Sequence, residues 1–217
     1  MSAFGYRKPS DLPPTIPLFP LAGAILFPRG GLPLNIFEPR YLNMVDDALA
    51  GERVIGMIQP AAADAEVRAP ALAEVGTAGR ITSFSETEDG RYLITLTGIS
   101  RFRVDRELPV GLPYRQAMVT YDDFAQDLSP SRSRIDRERL RNALRRYVDS
   151  RGYQTDWSAV DEAPSEALVN AVSTLCPFDP PEKQALLEAR SLKERCAALI
   201  ALLECGAGGD NRDRPLQ

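Results

Sequence analysis

The chain has 217 residues, a formal charge of −4, 44% hydrophobic and 26% charged residues. This is the composition of an ordinary globular protein of one or two domains, long enough to bury roughly 70% of its unfolded surface without a metal or disulfide. The acidic balance disfavours a globally basic nucleic-acid binder. Histidine is absent, which removes Ser-His-Asp triads, Cys-His dyads and the common zinc ligand sets. Lysine occurs only as Lys8, Lys183 and Lys193, and no Gly-Lys dipeptide is present, so there is no Walker A phosphate loop.

Three cysteines, Cys176, Cys196 and Cys205, form no C-x-x-C pair. An odd count with this spacing suggests neither a disulfide framework nor a zinc clasp. They read as reduced packing residues, Cys196 and Cys205 within an apolar helical pattern, which points to a cytoplasmic setting. The apolar stretch from Ile16 to Phe27 follows Arg7 and Lys8, but Pro17 and Pro20 interrupt it and no A-x-A site follows. It is expected to be neither a signal peptide nor a membrane span.

Residues 1–14, with Pro9, Pro13 and Pro14, read as a tail. Ile16–Phe19, Ala24–Phe27 and Leu32–Phe37 are short strand candidates separated by prolines and by Gly30-Gly31. Glu38-Pro39-Arg40-Tyr41 opens a helix, with proline at its first position. Tyr41, Val45, Ala48 and Leu49 form an apolar stripe, and Gly51 sits at the expected C-terminal cap. Strand Val54–Gln59 follows, then an alanine-rich loop over Ala61–Ala73. Gly79–Ser85 and Arg91–Thr97 flank the hairpin turn Glu88-Asp89-Gly90. Gly98-Ile99-Ser100 is expected to turn the chain into a half-buried strand, Arg101–Glu107, and Tyr114–Tyr121 is the last strand. Six or seven short strands with one helix fit a small closed or nearly closed barrel over residues 15–125.

Helical patterning takes over across residues 126–206. Ile135, Leu140, Leu144 and Val148 make one stripe, ended by Gly152 and Tyr153. Ser165–Leu175 is the next helix, with Leu168, Val172 and Leu175 on its inward face. Asp179-Pro180-Pro181-Glu182 and Ser191-Leu192-Lys193-Glu194 are capping boxes. The second opens a helix burying Leu192, Cys196, Leu199 and Leu203, with Gly206 as its cap. Residues 207–217 are expected to be a disordered polar tail.

Several groups carry both a structural and a functional reading. Arg40 and Tyr41 sit in a helix start that could double as a recognition edge beside the barrel. Arg80, Arg91, Arg101 and Arg103 can bind an anion or pair with Glu86, Glu88 and Asp105; cross-strand pairing is the commoner outcome. The segment from Arg132 to Arg151 is arginine-rich, and Arg137, Arg141 and Arg145 are its candidate anion or RNA patch. No aromatic platform is evident beside it, so a solvated helix face is favoured and nucleic acid is an unfavoured partner. Glu86 to Asp89 and Asp122-Asp123 read as surface acids rather than a catalytic carboxylate pair. The apolar set Phe19, Phe27, Leu32, Leu34, Ile36 and Phe37 is mostly core, with room for an exposed groove near Gly30-Gly31.

Three blocks carry a family resemblance: Ile16-Pro17-Leu18-Phe19-Pro20-Leu21, Ile25-Leu26-Phe27-Pro28 and Leu32-Pro33-Leu34-Asn35-Ile36-Phe37-Glu38-Pro39-Arg40-Tyr41. With Val75-Gly76-Thr77-Ala78-Gly79-Arg80-Ile81, Asp89-Gly90-Arg91-Tyr92 and Gly98-Ile99-Ser100-Arg101-Phe102, the sequence resembles the N-terminal substrate-binding domain of the ATP-dependent protease Lon over residues 15–205. Asn35 stands where family members often carry histidine. The resemblance implies an α+β protein, a PUA-like β-barrel followed by a C-terminal helical bundle. It also implies a stand-alone chain without the ATPase and Ser-Lys protease modules, hence no catalytic residue, cofactor or metal. The implied partners are unfolded or apolar polypeptide segments and a protease or chaperone; an RNA-binding module is the alternative. The expected polypeptide-binding residues are Phe27, Leu32, Leu34, Ile36, Arg40, Tyr41, Phe84, Tyr92 and Phe102.

Overall fold

The computed structural model describes residues 4–61, 70–109, 111–131 and 133–208. Residues 1–3 of the expected tail, 62–69 of the alanine-rich loop, Arg132 and 209–217 lie outside the described residues. The chain divides into two compact units at Pro130.

The first unit carries β1 (Thr15–Pro20), β2 (Gly31–Ile36), helix α1 (Pro39–Ala50), β3 (Val54–Ile58), β4 (Val75–Glu86), β5 (Tyr92–Leu108) and β6 (Arg115–Thr120). These make one mixed sheet in the order β2-β5-β4-β3-β1-β6, and β6 also pairs back onto β5. Only β1 and β3 run parallel among these pairs. The 17-residue β5 makes this possible. Tyr92–Thr97 pairs with β2, Tyr92–Arg103 with β4, and Arg103–Leu108 with β6.

The expected turn at Gly98-Ile99-Ser100 does not form. The strand runs through it, with Ile99 as an extra residue between the Gly79–Gly98 and Ala78–Ser100 pairs. Gly98 is needed for close approach: a Cβ there would lie 2.1 Å from the Phe27 carbonyl oxygen. The Arg29 amide donates to the Gly98 oxygen and the Gly98 amide to the Gly30 oxygen. This docking also corrects the expected strand at Ala24–Phe27, which is irregular chain with Ile25, Leu26 and Phe27 buried.

The sheet is apolar on both faces. In β3, Val54 and Ile58 enter one cluster with Phe102, while Ile55 and Met57 enter another with Met44 and Val45 of α1. That splitting is the period-2 alternation of a strand covered on both sides. The start of α1 follows the sequence reading, but the Glu38 side chain makes no capping bond to the helix backbone and instead pairs with the Arg40 side chain at 2.7 Å.

The buried Arg101 guanidinium donates from Nε and Nη2 to the Asp127 carboxylate, at 2.7 and 2.9 Å. The Arg101 amide donates to the same carboxylate at 3.1 Å. This pins the 3-10 segment Asp122–Leu128 onto β5. The four strand arginines are thus engaged, but not with the expected acids. Arg103 pairs with Glu74 and Asp123, Arg91 with Asp89, and Arg80 donates to the Tyr6 hydroxyl and the Glu52 carbonyl.

The second unit consists of α2 (Arg137–Arg151), α3 (Trp157–Glu162), α4 (Ser165–Leu175), α5 (Pro180–Glu188) and α6 (Leu192–Gly208). Asp136 caps α2 by accepting from the Arg139 amide, and left-handed Gly152 ends it. The Asp179 capping box forms as expected. At α6, Ser191 accepts from the Glu194 amide, while the Glu194 carboxylate reaches the Arg190 amide instead. Gly206 does not cap α6. It lies inside the helix where a Cβ would be 2.7 Å from the Tyr147 ring, so its role is close packing. Buried Arg195 joins three helices, donating to the Leu186 carbonyl at 3.0 Å and to the Asn170 side chain at 2.9 Å.

Removing one partner of a buried ion pair strands the other charge, which costs about 3–5 kcal/mol, whereas an exposed pair contributes about 1 kcal/mol or less. Asp127→Ala is therefore expected to destabilise the first unit by about 3–5 kcal/mol. Arg103→Ala, two residues along the same strand, should cost less than about 1 kcal/mol. Urea unfolding followed by circular dichroism separates the two.

Candidate functional site

The helical unit holds a groove of about 640 Å³. Its walls come from α2 (Leu144, Tyr147, Val148), from α3 (Ala159, Val160) and from α4 (Ala167, Leu168, Ala171, Val172, Leu175), with Tyr153, Gln154 and Thr155 at one side. Among the described residues no charged side chain lines it. The volume falls within the range of ligand pockets, and an apolar wall with a few polar groups is their usual composition.

The cause lies in the spacing of α4. Leu168, Val172 and Cys176 are buried, as a helix face must be, but Ala167, Ala171 and Leu175 form an adjacent stripe at intervals of four that, among the described residues of this unit, no helix covers. Leu175, expected to face inward, is 82% exposed. Alanines are too small to fill the space between the helices, so the stripe leaves a trough. The repeat Ala163-x3-Ala167-x3-Ala171-x3-Leu175 is the sequence signal that reveals it. Helix α3, which forms one wall, was also missing from the periodicity reading; its clearest mark is Asp156, which accepts from the amides of Ser158 and Ala159.

In the sheet unit, the expected polypeptide-binding residues separate into two groups. Phe27 (1% exposed), Phe102 (0%), Ile36 and Tyr41 are buried and hold the core, so they present no binding surface. Phe102 fills the space over Gly56 and Gly76, where a Cβ on either would meet its ring at 3.0 Å or less. Tyr41 packs against Phe19 with ring centres 4.3 Å apart. The remaining residues are at least partly accessible. Leu34, Ile94 and Phe84 form one cross-strand row, with Leu32 and Tyr92 in neighbouring rows on the same face. Phe84 is 42% exposed and meets Tyr92 edge-on at 5.0 Å. Arg40 is exposed and lies over the Tyr41 ring at 4.5 Å. Phe37 and Leu93 are also exposed and were not foreseen.

The candidate anion patch is largely occupied by contacts within its own unit. Arg137 donates to the carbonyls of Val160 and Asp161, and Arg141 forms a bidentate pair with the Asp161 carboxylate. Arg141 and Arg145 both lie over the Trp157 ring, at 5.8 and 4.8 Å. An aromatic ring therefore does accompany these arginines, contrary to the sequence reading, and the two cations already stack on it. Among the described residues no group of acids and cysteines is placed to hold a metal ion. None of their helices is long and apolar enough to cross a membrane.

Residues 15–204 match the family model described as the ATP-dependent protease La (LON) substrate-binding domain. The chain belongs to this family. Among curated relatives, it is 29% identical over 216 residues to Lon protease 2 of Myxococcus xanthus, covering 94% of this chain and 25% of that protein. Lon protease 2 of Thermus thermophilus is 27% identical, with 89% and 24% covered. The chain thus spans about a quarter of these relatives' length. A Lon N-terminal domain protein from Xanthomonas campestris is similar in structure, with a TM-score of 0.62 at 25% identity over 86% of this chain and 97% of that one. The N-terminal domain of Lon protease from the Mycobacterium avium complex superposes with a TM-score of 0.63 at 16% identity, covering 87% and 97%. The mixed six-strand sheet followed by helices is the fold of these Lon N-terminal domains.

Within this Lon-type domain the cysteines are not equivalent. Cys176 and Cys196 are buried, whereas Cys205 is exposed, contrary to its expected packing role. Burial pushes the Cys176 thiol up to about 11 and also raises that of Cys196. Both are therefore neutral and poorly reactive near pH 8. Dithiobis(nitrobenzoate) at pH 8 is expected to label one thiol fast in the folded chain and three after denaturation. The unfolded Cys176 thiol releases its proton near 9.0 while the folded one holds it to about 11. Its contribution to stability is thus complete below pH 9 and declines as pH rises through that window.

Proposed function

We propose that this chain is a non-catalytic polypeptide-recognition module, an adaptor that presents unfolded or apolar segments to a protease or chaperone. The observation that carries the reading is the uncharged apolar groove of the helical unit, in a chain whose family is defined by substrate binding. In the sheet unit, the return of β6 onto β5 supports the finer description of a PUA-like barrel. Free cysteines support a reducing, cytoplasmic setting. Among the described residues the groove walls are apolar with a few uncharged polar groups, and binding is the chemistry they favour. Burial of one leucine-sized side chain contributes about 1.5–3 kcal/mol. Two or three such side chains contribute about 3–9 kcal/mol before the ordering cost is deducted, so capture by the groove alone is weak.

Fluorescence anisotropy with carboxymethylated α-lactalbumin, a permanently unfolded probe, tests the reading on the full chain. Apolar capture keeps the dissociation constant within about two-fold between about 50 and 500 mM salt, whereas contacts to nucleic-acid phosphates lose orders of magnitude over such a range. Ala171→Arg, which fills the groove from an exposed position, and Leu175→Glu should each weaken binding by about ten-fold, equivalent to about 1.4 kcal/mol. Undiminished binding by both variants would remove the groove from the function.

A further inference from the structure

Strand β4 is longer than its neighbour β3. On that side β3 pairs with Thr77–Arg80 only, and the last contact is the Ile81 amide donating to the Arg53 carbonyl at 2.8 Å. Beyond it, among the described residues, no strand pairs with the outer edge of Thr82–Glu86, and all five residues are exposed. The Thr87 amide donates to the Arg91 carbonyl at the hairpin end. Alternation of an antiparallel ladder then directs the backbone groups of Ser83 and Ser85 toward β5 and those of Phe84 and Glu86 outward.

The other free edge of the sheet is protected. The Gly98 amide bonds to the Gly30 carbonyl, so the backbones of Leu32 and Leu34 face β5 and that of Pro33 faces outward. Proline has no N–H and blocks strand addition there. Residues 82–86 contain no proline and no lysine. The Phe84 and Tyr92 rings flank this open edge on one face, and exposed Leu93 lies opposite small Ser85 on the other.

We propose that the outer edge of Thr82–Glu86 captures an extended segment of another polypeptide by β-strand addition. This deepens the polypeptide-recognition reading and rests on it. Main-chain bonds to Phe84 and Glu86 hold the segment, and alternate side chains meet Phe84 and Tyr92. The favoured segment is about five residues long, with aromatic or β-branched residues at alternate positions and a basic residue opposite Glu86. A second copy of this chain is a poor occupant. An edge about 17 Å long buries a few hundred Å² per side, against roughly 800 Å² per partner in a stable interface.

The probe is a labelled nine-residue peptide of alternating valine and threonine with one lysine, titrated against the full chain. Methylation of every second backbone nitrogen is expected to reduce affinity at least ten-fold in one alternating set and less than two-fold in the other. Glu86→Pro, which removes an outward donor and the carboxylate but no bond to β5, is expected to reduce affinity at least ten-fold with thermal unfolding unchanged, whereas Glu86→Gln, which keeps the donor, is expected to lose only the preference for the lysine. The peptide series leaves the protein unaltered, so it decides the matter even where the variant does not fold. Equal tolerance of both methylation sets would overturn strand addition. So would a concentration-dependent dimer abolished by Glu86→Pro, which would assign the edge to self-pairing. If unfolded lactalbumin binds the wild type and Glu86→Pro equally but is lost in Ala171→Arg, the edge proposal fails and the groove reading survives. If lactalbumin binds none of these proteins, the recognition reading itself fails.

Discussion

The sheet unit is organised around the ion pair that buries Arg101 against Asp127. Moving two charges out of water costs several kcal/mol each, and only close, multiple hydrogen bonds offset that cost. The geometry meets this requirement: two guanidinium bonds and one amide bond converge on one carboxylate, and the Phe124 ring lies 4.5 Å from the guanidinium carbon. The backbone carbonyl of Asp127 also accepts from Arg29. One acidic residue thereby links β5, the 3-10 segment and the chain between β1 and β2. Because β5 pairs with β2, β4 and β6 in turn, fixing β5 fixes the frame on which three other strands are registered.

The two units expose apolar surface for different reasons. In the sheet unit both faces are covered over most of the length, and the surplus appears where β4 and β5 extend past β3, with backbone groups left open at the edge. In the helical unit the backbone is internally satisfied, and the surplus is a side-chain trough produced by alanines too small to close it. A strand edge selects for extended backbone, whereas a trough selects for side-chain shape. The two surfaces therefore suit different features of an unfolded chain and do not compete for the same atoms of it.

What the sequence disclosed follows from how far each signal reaches. Caps and helical stripes act over three or four residues, so α1, α4 and the Asp179 box were legible from local pattern. The hairpin at Glu88-Asp89-Gly90 was legible for the same reason. Arg101 finds Asp127 26 positions away, and Arg103 finds Glu74 29 positions away, so cross-strand acids nearer in sequence were the natural but wrong partners. Gly98 looked like a turn because glycine permits turns. Its actual reason, the approach of the Phe27 carbonyl, comes from a segment about 70 residues earlier. Leu175 looked buried because hydrophobicity does not say which of two adjacent helical stripes finds a partner. The family resemblance supplied the fold that these local signals could not assemble, but its expected surface included Phe27, Ile36 and Phe102, which the core claims.

The comparison with the Mycobacterium avium complex domain bears on the fold alone. The fold superposes at 16% identity, so this architecture tolerates replacement of most side chains while backbone paths stay similar. Volume-conserving changes are tolerated in a core as long as the pattern is kept. Surfaces that recognise through side chains have no such protection and drift with sequence. An edge that recognises through its own N–H and C=O groups is different, since every residue but proline supplies both. Unfolded polypeptides have no common sequence, and their one shared feature is an accessible backbone. A module that meets them with an open strand, flanked by a few rings that reward apolar neighbours, gains affinity from what all such chains possess and selectivity from what only some of them carry.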